Sequence, residues 1–349
     1  MKRVCILIWG LNSSAGTERV AVNIANGLSE YSNNTTVEIM AITGGNSFYK
    51  INEKVTTNLL NYDTGFFSYI KACLALKAEK YDSVIVVSMG KLSVFMTALK
   101  YIFRIKSKWI LSEHISFSKY NSFEKKIKKI IYSLADKVIL LTEHDKQIVS
   151  NGTDKFMVIE NASPYEPVEE INESANKIIA IGRLTHQKGF DRLLNIWAEF
   201  CKKNKNGHVL EIYGEGELKD NLISQAKDAG ILRDVRFCNA HSNIEEVYSE
   251  TYCLMMTSRF EGLPMVLIEA KSFGVPVLSY NCKTGPEELI SNGEDGFLIA
   301  DGDSSAFLDK LSSILDSKVM RNEMAKKSLN NAKRFCNKEI ALKWLAIIF

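Results

Sequence analysis

Short apolar runs alternate with helical segments from one end of the chain to the other, and that alternation leaves few folds open. Strand-like runs cover residues 4–9, 37–42, 83–88, 109–111, 138–141 and 156–159, and then 177–181, 208–213, 235–237, 253–256, 277–280 and 296–299. Segments with helical periodicity fill the gaps, among them 18–30, 190–203, 218–229 and 306–315. Strands separated by amphipathic helices imply parallel sheets covered on both faces. The series breaks once, at Asn161-Ala162-Ser163-Pro164-Tyr165-Glu166-Pro167-Val168-Glu169-Glu170, whose prolines and polar residues read as an interdomain linker. At 349 residues the chain exceeds what one core serves. The expectation is an α/β protein with two Rossmann-like, doubly wound parallel-sheet domains facing a cleft. Residues 1–165 form the first and 171–330 the second; 331–349 form a C-terminal helix packing back towards the first. Such sheets bind ligands at the carboxyl ends of their strands.

Composition narrows the class. A hydrophobic content of 46% and a charged content of 24% suit a soluble globular protein, and no run approaches about eighteen apolar residues, the length of a membrane span. The opening Met1-Lys2-Arg3-Val4-Cys5-Ile6-Leu7-Ile8-Trp9 imitates a signal peptide. Its apolar stretch stops at Gly10-Leu11-Asn12 without a cleavage site, which reads as a buried first strand. Seven cysteines without a Cys-x-x-Cys pair suit a reducing compartment, so a cytoplasmic location is expected. The net charge of +3 hides a basic first half and an acidic second half. The first half contains Lys119, Lys125, Lys126, Lys128 and Lys129 around Phe123, Ile127, Ile130 and Ile131, which recur at helical spacing. Two readings stand: a solvated face over a core-facing stripe, or a helix docking peripherally on the anionic inner face of the cell membrane. No nucleic-acid partner is expected.

Three loops carry candidate chemistry. In Trp9-Gly10-Leu11-Asn12-Ser13-Ser14-Ala15-Gly16-Thr17-Glu18-Arg19, Gly16 and Thr17 sit where a helix N-terminus would meet an anion. The loop lacks the Gly-Lys-Ser/Thr ending of a P-loop, and a plain strand-to-helix turn explains it equally. In Gly182-Arg183-Leu184-Thr185-His186-Gln187-Lys188-Gly189, Arg183 and Lys188 leave the carboxyl end of a strand together. A guanidinium and an ammonium there suit the charges of a departing nucleotide diphosphate; as lone surface cations they would need no such role. The third loop, Ser258-Arg259-Phe260-Glu261-Gly262-Leu263-Pro264, precedes a helix carrying Glu269. Glu261 falls in the connection beside the Gly262 and Leu263 amides. Glu269, among apolar neighbours, needs a hydroxyl or a cation. Taken singly, the first acid would be a cap and the second half of a buried ion pair.

Glu261 and Glu269, with Gly-Leu-Pro after the first, resemble the EX7E motif of retaining GT-B glycosyltransferases. Gly182-Arg183-Leu184 with Gln187-Lys188-Gly189 is similar to the donor-binding segment of glycosyltransferase family four. Gly10 through Arg19 resembles that family's amino-terminal glycine loop, and Tyr213-Gly214-Glu215-Gly216-Glu217-Leu218 its Gly-x-Gly turn. The likeness runs in order along essentially the whole chain and points to bacterial capsule, O-antigen and exopolysaccharide enzymes. It implies a GT-B fold in which Arg183 and Lys188 bind the donor diphosphate, helped by Gly16 and Thr17, with Gly182 and Gly214 in the donor-binding segments. It further implies that Glu261 contacts hydroxyls of the transferred sugar beside Gly262 and Leu263, and that Glu269 bonds the ribose. His114, in Leu111-Ser112-Glu113-His114, matches a family histidine that contacts the sugar near the reacting centre; a lone histidine is otherwise more often structural.

One departure is Asn239, where relatives usually carry glycine in the base-contacting loop, in Val235-Arg236-Phe237-Cys238-Asn239-Ala240. Asp301-Gly302-Asp303 imitates the DxD metal motif of another glycosyltransferase fold, but Asp303 also reads as an N-cap, so neither a metal nor another cofactor is expected. The resemblance implies transfer of a hexose or N-acetylhexosamine from a UDP-sugar, with retention, to a glycan acceptor that is polyprenyl-diphosphate-linked. Asn281-Cys282-Lys283-Thr284-Gly285-Pro286-Glu287-Glu288 is similar to a subgroup using UDP-GalNAc or UDP-galactose. A nucleotide-sugar epimerase of similar build and a transferase using a GDP-sugar are the alternatives.

Overall fold

A computed structural model of the chain describes residues 1–13, 16–150, 152–204, 207–239 and 243–349. Two compact units form, Met1–Pro164 together with Asn337–Phe349, and Tyr165–Cys336. In the first unit seven strands lie in one sheet: β1 (Lys2–Ile8), β2 (Thr35–Ala41), β3 (Val55–Leu59), β4 (Ser83–Ser88), β5 (Lys108–Glu113), β6 (Lys137–Leu140) and β7 (Phe156–Val158). Their order is β3-β2-β1-β4-β5-β6-β7 and every pairing is parallel. The second unit holds β8 (Lys177–Ile181), β9 (Leu210–Tyr213), β10 (Val235–Cys238), β11 (Thr251–Met256), β12 (Val277–Asn281) and β13 (Gly296–Ala300). These are also all parallel, in the order β10-β9-β8-β11-β12-β13. The twelve strands expected from sequence all form, with ends displaced by at most two residues. β3 escapes the apolar-run criterion because it is an edge strand in which only Val55 is buried.

The sheets are parallel because both faces are covered. Along β1, Val4, Ile6 and Ile8 pack into one core while Cys5 and Leu7 pack into the other, as a strand buried on both sides must. The first of these cores takes in Val20, Ile24 and Leu28 of the helix Gly16–Tyr31 and Ile340 and Trp344 of the helix Asn337–Ile348. These two helices approach closely at Gly27, where a Cβ would lie 2.8 Å from that of Ala341. Lys2 donates to the Ile348 carbonyl at 2.9 Å, a cation at a helix C-terminus where the dipole favours it. The opposite face is covered by the helices Phe66–Glu79, Lys91–Ile102 and Ser122–Leu134. In the second unit a large core takes in Trp197, Leu193 and Phe307, and Ile179, Leu254 and Val277 are buried outside it.

In each sheet the order reverses once. β1 lies between β2 and β4, and β8 between β9 and β11. Loops leaving β1 and β4, or β8 and β11, therefore depart to opposite faces and open a crevice at the carboxyl ends. No helix among the described residues is long and apolar enough to cross a membrane.

Candidate active site

The crevice of the second unit is built from the loops after β8 and β11. β8 ends at Ile181, and Gly182 then lets the chain turn beneath a long side chain: a Cβ there would lie 3.2 Å from Cδ of Lys188. Lys188 closes the short 3-10 turn His186–Lys188, and Gly189 follows in the left-handed region at φ 65°. A side chain at Gly189 is excluded twice, by that φ and by the Thr257 carbonyl oxygen 2.3 Å from where a Cβ would stand. Gly214 faces a similar limit, its Cβ position lying 1.9 Å from the Gly182 carbonyl oxygen. The glycines therefore let the segments after β9 and β11 each approach the one after β8 closely.

Lys188, on the loop after β8, meets Glu261, on the loop after β11. Its ammonium lies 2.7 Å from Oε1, and the carboxylate side chain is only 6% exposed. The two loops are fastened together independently of this pair. Arg259 donates from its backbone N–H to the Gln187 carbonyl at 2.8 Å, and Gln187 Nε2 returns a bond to the Phe260 carbonyl at 3.0 Å. The Arg259 guanidinium grips Asp191 through two bonds of 2.8 and 2.6 Å and reaches the His186 carbonyl at 2.9 Å. The hydrogen bond from Arg259 holds the Asp191 carboxyl below its ordinary range. The Glu261 carbonyl accepts from the Thr284 hydroxyl. Gly285, at φ 96°, lets that supporting loop approach the Gly262 carbonyl to within 2.3 Å of its would-be Cβ. Gly262 itself faces open space, with nothing within 4 Å of where a Cβ would stand, while Leu263 is buried. The Arg183 guanidinium is exposed and has no ion-pair partner among the described residues. Glu269, buried in the helix Met265–Ser272, accepts from the Tyr248 hydroxyl at 2.9 Å.

In the first unit a hollow of about 450 Å³ opens between β1 and β4, lined by Trp9, Gly10, Thr17, Tyr69, Met89 and Lys91 among others. Gly16 starts the helix with open space beside it. Thr17 and Ser13 both donate to the Glu18 carboxylate at 2.7 Å. Ser14 and Ala15 of this loop lie outside the described residues. Rings continue outward from the hollow: Trp9 meets Tyr69 at 5.1 Å, Tyr69 meets Phe95 at 4.8 Å, and Phe95 meets the exposed Phe66 at 5.8 Å. His114 lines a different, smaller hollow with Asn161, Asn337 and Trp344. Its Nε2 lies 2.8 Å from the Ser112 hydroxyl, and its backbone N–H donates to the Ser88 carbonyl at 2.9 Å. Desolvation lowers its pKa to about 4, so the imidazole is neutral near pH 7 and able to hydrogen-bond as donor or acceptor.

A family model described as "Glycosyl transferases group 1" matches residues 163–333. The amylovoran biosynthesis glycosyltransferase AmsD of Erwinia amylovora is 33% identical over the full length of both chains. The chain belongs to the group 1 glycosyl transferases. A second relative of this glycosyltransferase, from Campylobacter jejuni, is 28% identical over 100% of this chain and 98% of its own. It is named as the alpha-1,4-N-acetyl-D-galactosaminyltransferase of GalNAc-alpha-(1->4)-GalNAc-alpha-(1->3)-diNAcBac-PP-undecaprenol. The solved structure of Anabaena HepE in complex with UDP superposes with a TM-score of 0.77 at 17% identity, covering 100% of this chain and 99% of that one. The two parallel doubly wound sheets are those of the GT-B fold.

The structure revises one sequence expectation about this glycosyltransferase. Lys128 does not stand on a basic solvated or membrane-facing surface. It points inward from the helix Ser122–Leu134, is 2% exposed, and pairs with both Glu113 oxygens at 2.8 Å and with Ser93 at 2.7 Å. The apolar stripe also divides: Ile131 is buried and Ile127 packs against the core, whereas Phe123 is 72% and Ile130 61% exposed. A lysine one turn from buried isoleucines looks the same in sequence as one that snorkels outward. Asp303 caps the helix Ser304–Asp316 by accepting from the Ala306 N–H at 2.9 Å, and Asp301 pairs with Arg192 at 2.7 Å. Asn239 accepts from Lys219 at 2.9 Å; Ala240 lies outside the described residues. Arg259 and Thr284 lie in segments singled out from sequence but were given no role of their own, and Asp191 and Tyr248 were not singled out. Only Arg259 carried a signal, as a cation two residues before Glu261.

Proposed function

We propose that this glycosyltransferase moves a hexose or N-acetylhexosamine from a UDP-sugar, with retention, onto a polyprenyl-diphosphate-linked glycan during surface-polysaccharide synthesis. The observation that carries the reading is the Lys188–Glu261 pair at the reversal point of the second sheet, with the exposed Arg183 on the same loop as Lys188. A diphosphate brought to this crevice shares the Lys188 ammonium, which has three N–H donors, and Glu261 turns an oxygen to the hydroxyls of the sugar. Arg183 and Lys188 then stabilise the charge that gathers on the leaving phosphate, and Gly262 leaves room where the sugar ring approaches the backbone. Glu269 accepts from the ribose. Retention follows by attack on the face from which the nucleotide leaves, the acceptor hydroxyl giving its proton to the departing phosphate oxygen. With Glu261 and Glu269 given these roles, neither is left to act as a carboxylate nucleophile for double displacement. The family resemblance gives Gly16 and Thr17 of the first unit a phosphate-binding role and His114 a sugar-contacting one, and the neutral state of the His114 imidazole suits that role.

The donor nucleotide is supported by the UDP in the Anabaena structure, and the N-acetylhexosamine and the lipid-linked acceptor by the name of the Campylobacter relative. Amylovoran biosynthesis in the Erwinia relative supports a polysaccharide product. Peripheral docking on an anionic membrane is supported by Phe123 and Ile130, seven residues apart on one exposed helix face, with Lys126 and Lys129 exposed beside them. Incubation with a panel of UDP- and GDP-sugars and undecaprenyl-diphosphate-linked glycans, read by mass spectrometry, tests the transfer. NMR of the new linkage tests retention. Product without acceptor would identify an epimerase instead, and transfer only from GDP-sugars would overturn the uridine assignment. Activity is expected to survive EDTA; loss with rescue by Mn²⁺ would overturn the metal-free reading.

A further inference from the structure

Glu269 occupies the second turn of the helix Met265–Ser272 with Leu267, Ile268 and Ala270 buried around it. A carboxylate in such surroundings requires hydrogen-bond donors held in place. Tyr248, on the helix Ile244–Ser249 and fully buried, supplies one from its hydroxyl to Oε2 at 2.9 Å. The ring behind that hydroxyl is itself clamped. Phe273 stacks on it with centroids 5.5 Å apart and planes 16° from parallel, and Tyr165 meets it edge-on at 6.4 Å. Tyr165 and Phe273 touch at 5.3 Å, so the three rings close a triangle. The same helix is pinned at its end, where the Val168 N–H donates to the Ser272 carbonyl at 2.8 Å. The residue that opens the second unit, Tyr165, thus packs against the group that holds Glu269.

We infer that Tyr248 is a positioning residue for nucleotide recognition, its clamped hydroxyl fixing the plane in which the Glu269 carboxylate meets the ribose diol of the donor. The inference rests on the reading of Glu269 as the ribose acceptor. A carboxylate free to turn about its last torsion presents its lone pairs in many planes, and ordering it would be charged against binding. A donor already seated on one oxygen removes that cost before the nucleotide arrives. Tyr248 touches no reacting atom in this scheme; it acts through Glu269.

Calorimetric binding of UDP and of 2′,3′-dideoxy-UDP to the full chain tests this, because only the first carries the ribose hydroxyls. The wild type is expected to favour UDP by about tenfold or more, the value of hydrogen bonds to a charged acceptor. Glu269→Gln should abolish most of that preference. Tyr248→Phe, which keeps the ring stack, should reduce it about fivefold while leaving dideoxy-UDP binding unchanged, and should add nothing in the Glu269→Gln background. Phe273→Leu unclamps the ring without removing either hydrogen-bonding group and should lower the same ratio, so the test survives if Tyr248→Phe folds poorly. A Glu269→Gln variant that keeps the wild-type preference, or a wild type with none, overturns the ribose reading and the inference with it. Loss of preference in Glu269→Gln with full preference in Tyr248→Phe and Phe273→Leu overturns the inference and leaves the ribose reading standing. Equal weakening of both ligands in Tyr248→Phe marks a purely structural tyrosine and also overturns it.

Discussion

The Lys188 ammonium lies 2.7 Å from Oε1 of Glu261, although the two residues are 73 positions apart in the chain. They meet because β8 and β11 are sheet neighbours, so the loops that follow these strands emerge side by side. The pair is mostly buried, and removing either partner leaves the other with a desolvated charge.

Arg183 offers the cleaner test of the phosphate role, because it is exposed and unpaired among the described residues. Arg183→Ala should leave the unfolding free energy within about 0.5 kcal/mol of wild type. It should lower kcat by about 10²–10³, the loss seen when one donor to a developing charge is removed. Lys188→Ala should lose activity on the same scale and also destabilise the fold by about 1–3 kcal/mol, since Glu261 stays buried without its cation. Steady-state kinetics beside urea unfolding separates the two effects. Near-wild-type turnover in Arg183→Ala would remove it from the site.

Two glycines of the same crevice should respond oppositely to a single methyl group. Gly189→Ala forces a side chain into φ 65° and against the Thr257 carbonyl, and should cost about 2–4 kcal/mol of stability. Gly262→Ala projects into open space and should leave thermal stability unchanged. If that space receives the sugar, Gly262→Ala should instead raise the donor KM. A stable, fully active Gly262→Ala enzyme would mean that the sugar does not pass there.

The sequence made the layered architecture readable because strands buried on both faces leave uninterrupted apolar runs, as Val4 to Ile8 does. β3 was hidden for the opposite reason: Thr56 and Thr57 are exposed at the sheet edge, so no apolar run forms. Lys188 and Glu261 were legible as candidates because each sits in a glycine-bounded loop at a strand end. Their partners were not. Thr284 and Tyr248 act through single hydroxyls that any threonine or tyrosine carries, and only the fold brings them to Glu261 and Glu269. Lys128 was misread because helical spacing gives the period of a stripe but not the position of its edge.

Lys128 should therefore behave differently from its neighbours. Lys128→Ala strands Glu113 without its cation in the core and should cost about 3–5 kcal/mol, whereas a Lys128→Met, Glu113→Leu double variant should recover much of that loss. Lys126→Glu with Lys129→Glu, both at exposed positions, should leave stability within about 0.5 kcal/mol of wild type. If this helix docks on membranes, the same double variant should weaken binding to phosphatidylserine vesicles by about 1 kcal/mol or more per lysine. Unchanged sedimentation with such vesicles would exclude that surface as the contact.

His114 predicts a pH dependence of defined sign. Its pKa is about 4 in the folded chain, against the ordinary value of 6.5, because burial disfavours the imidazolium. Between these values the unfolded chain binds a proton that the folded chain refuses, so unfolding is favoured as the pH falls. The contribution of His114 is complete above pH 6.5 and is lost progressively on acidification towards pH 4, amounting to about 3 kcal/mol across the window. His114→Asn removes the titration and retains hydrogen-bonding capacity towards Ser112. Urea unfolding of both proteins at half-unit steps from about pH 4 to 7.5 should give stability curves whose difference varies through this window and is flat above it. A constant difference throughout would show that His114 is protonated as readily in the folded protein as in the unfolded chain.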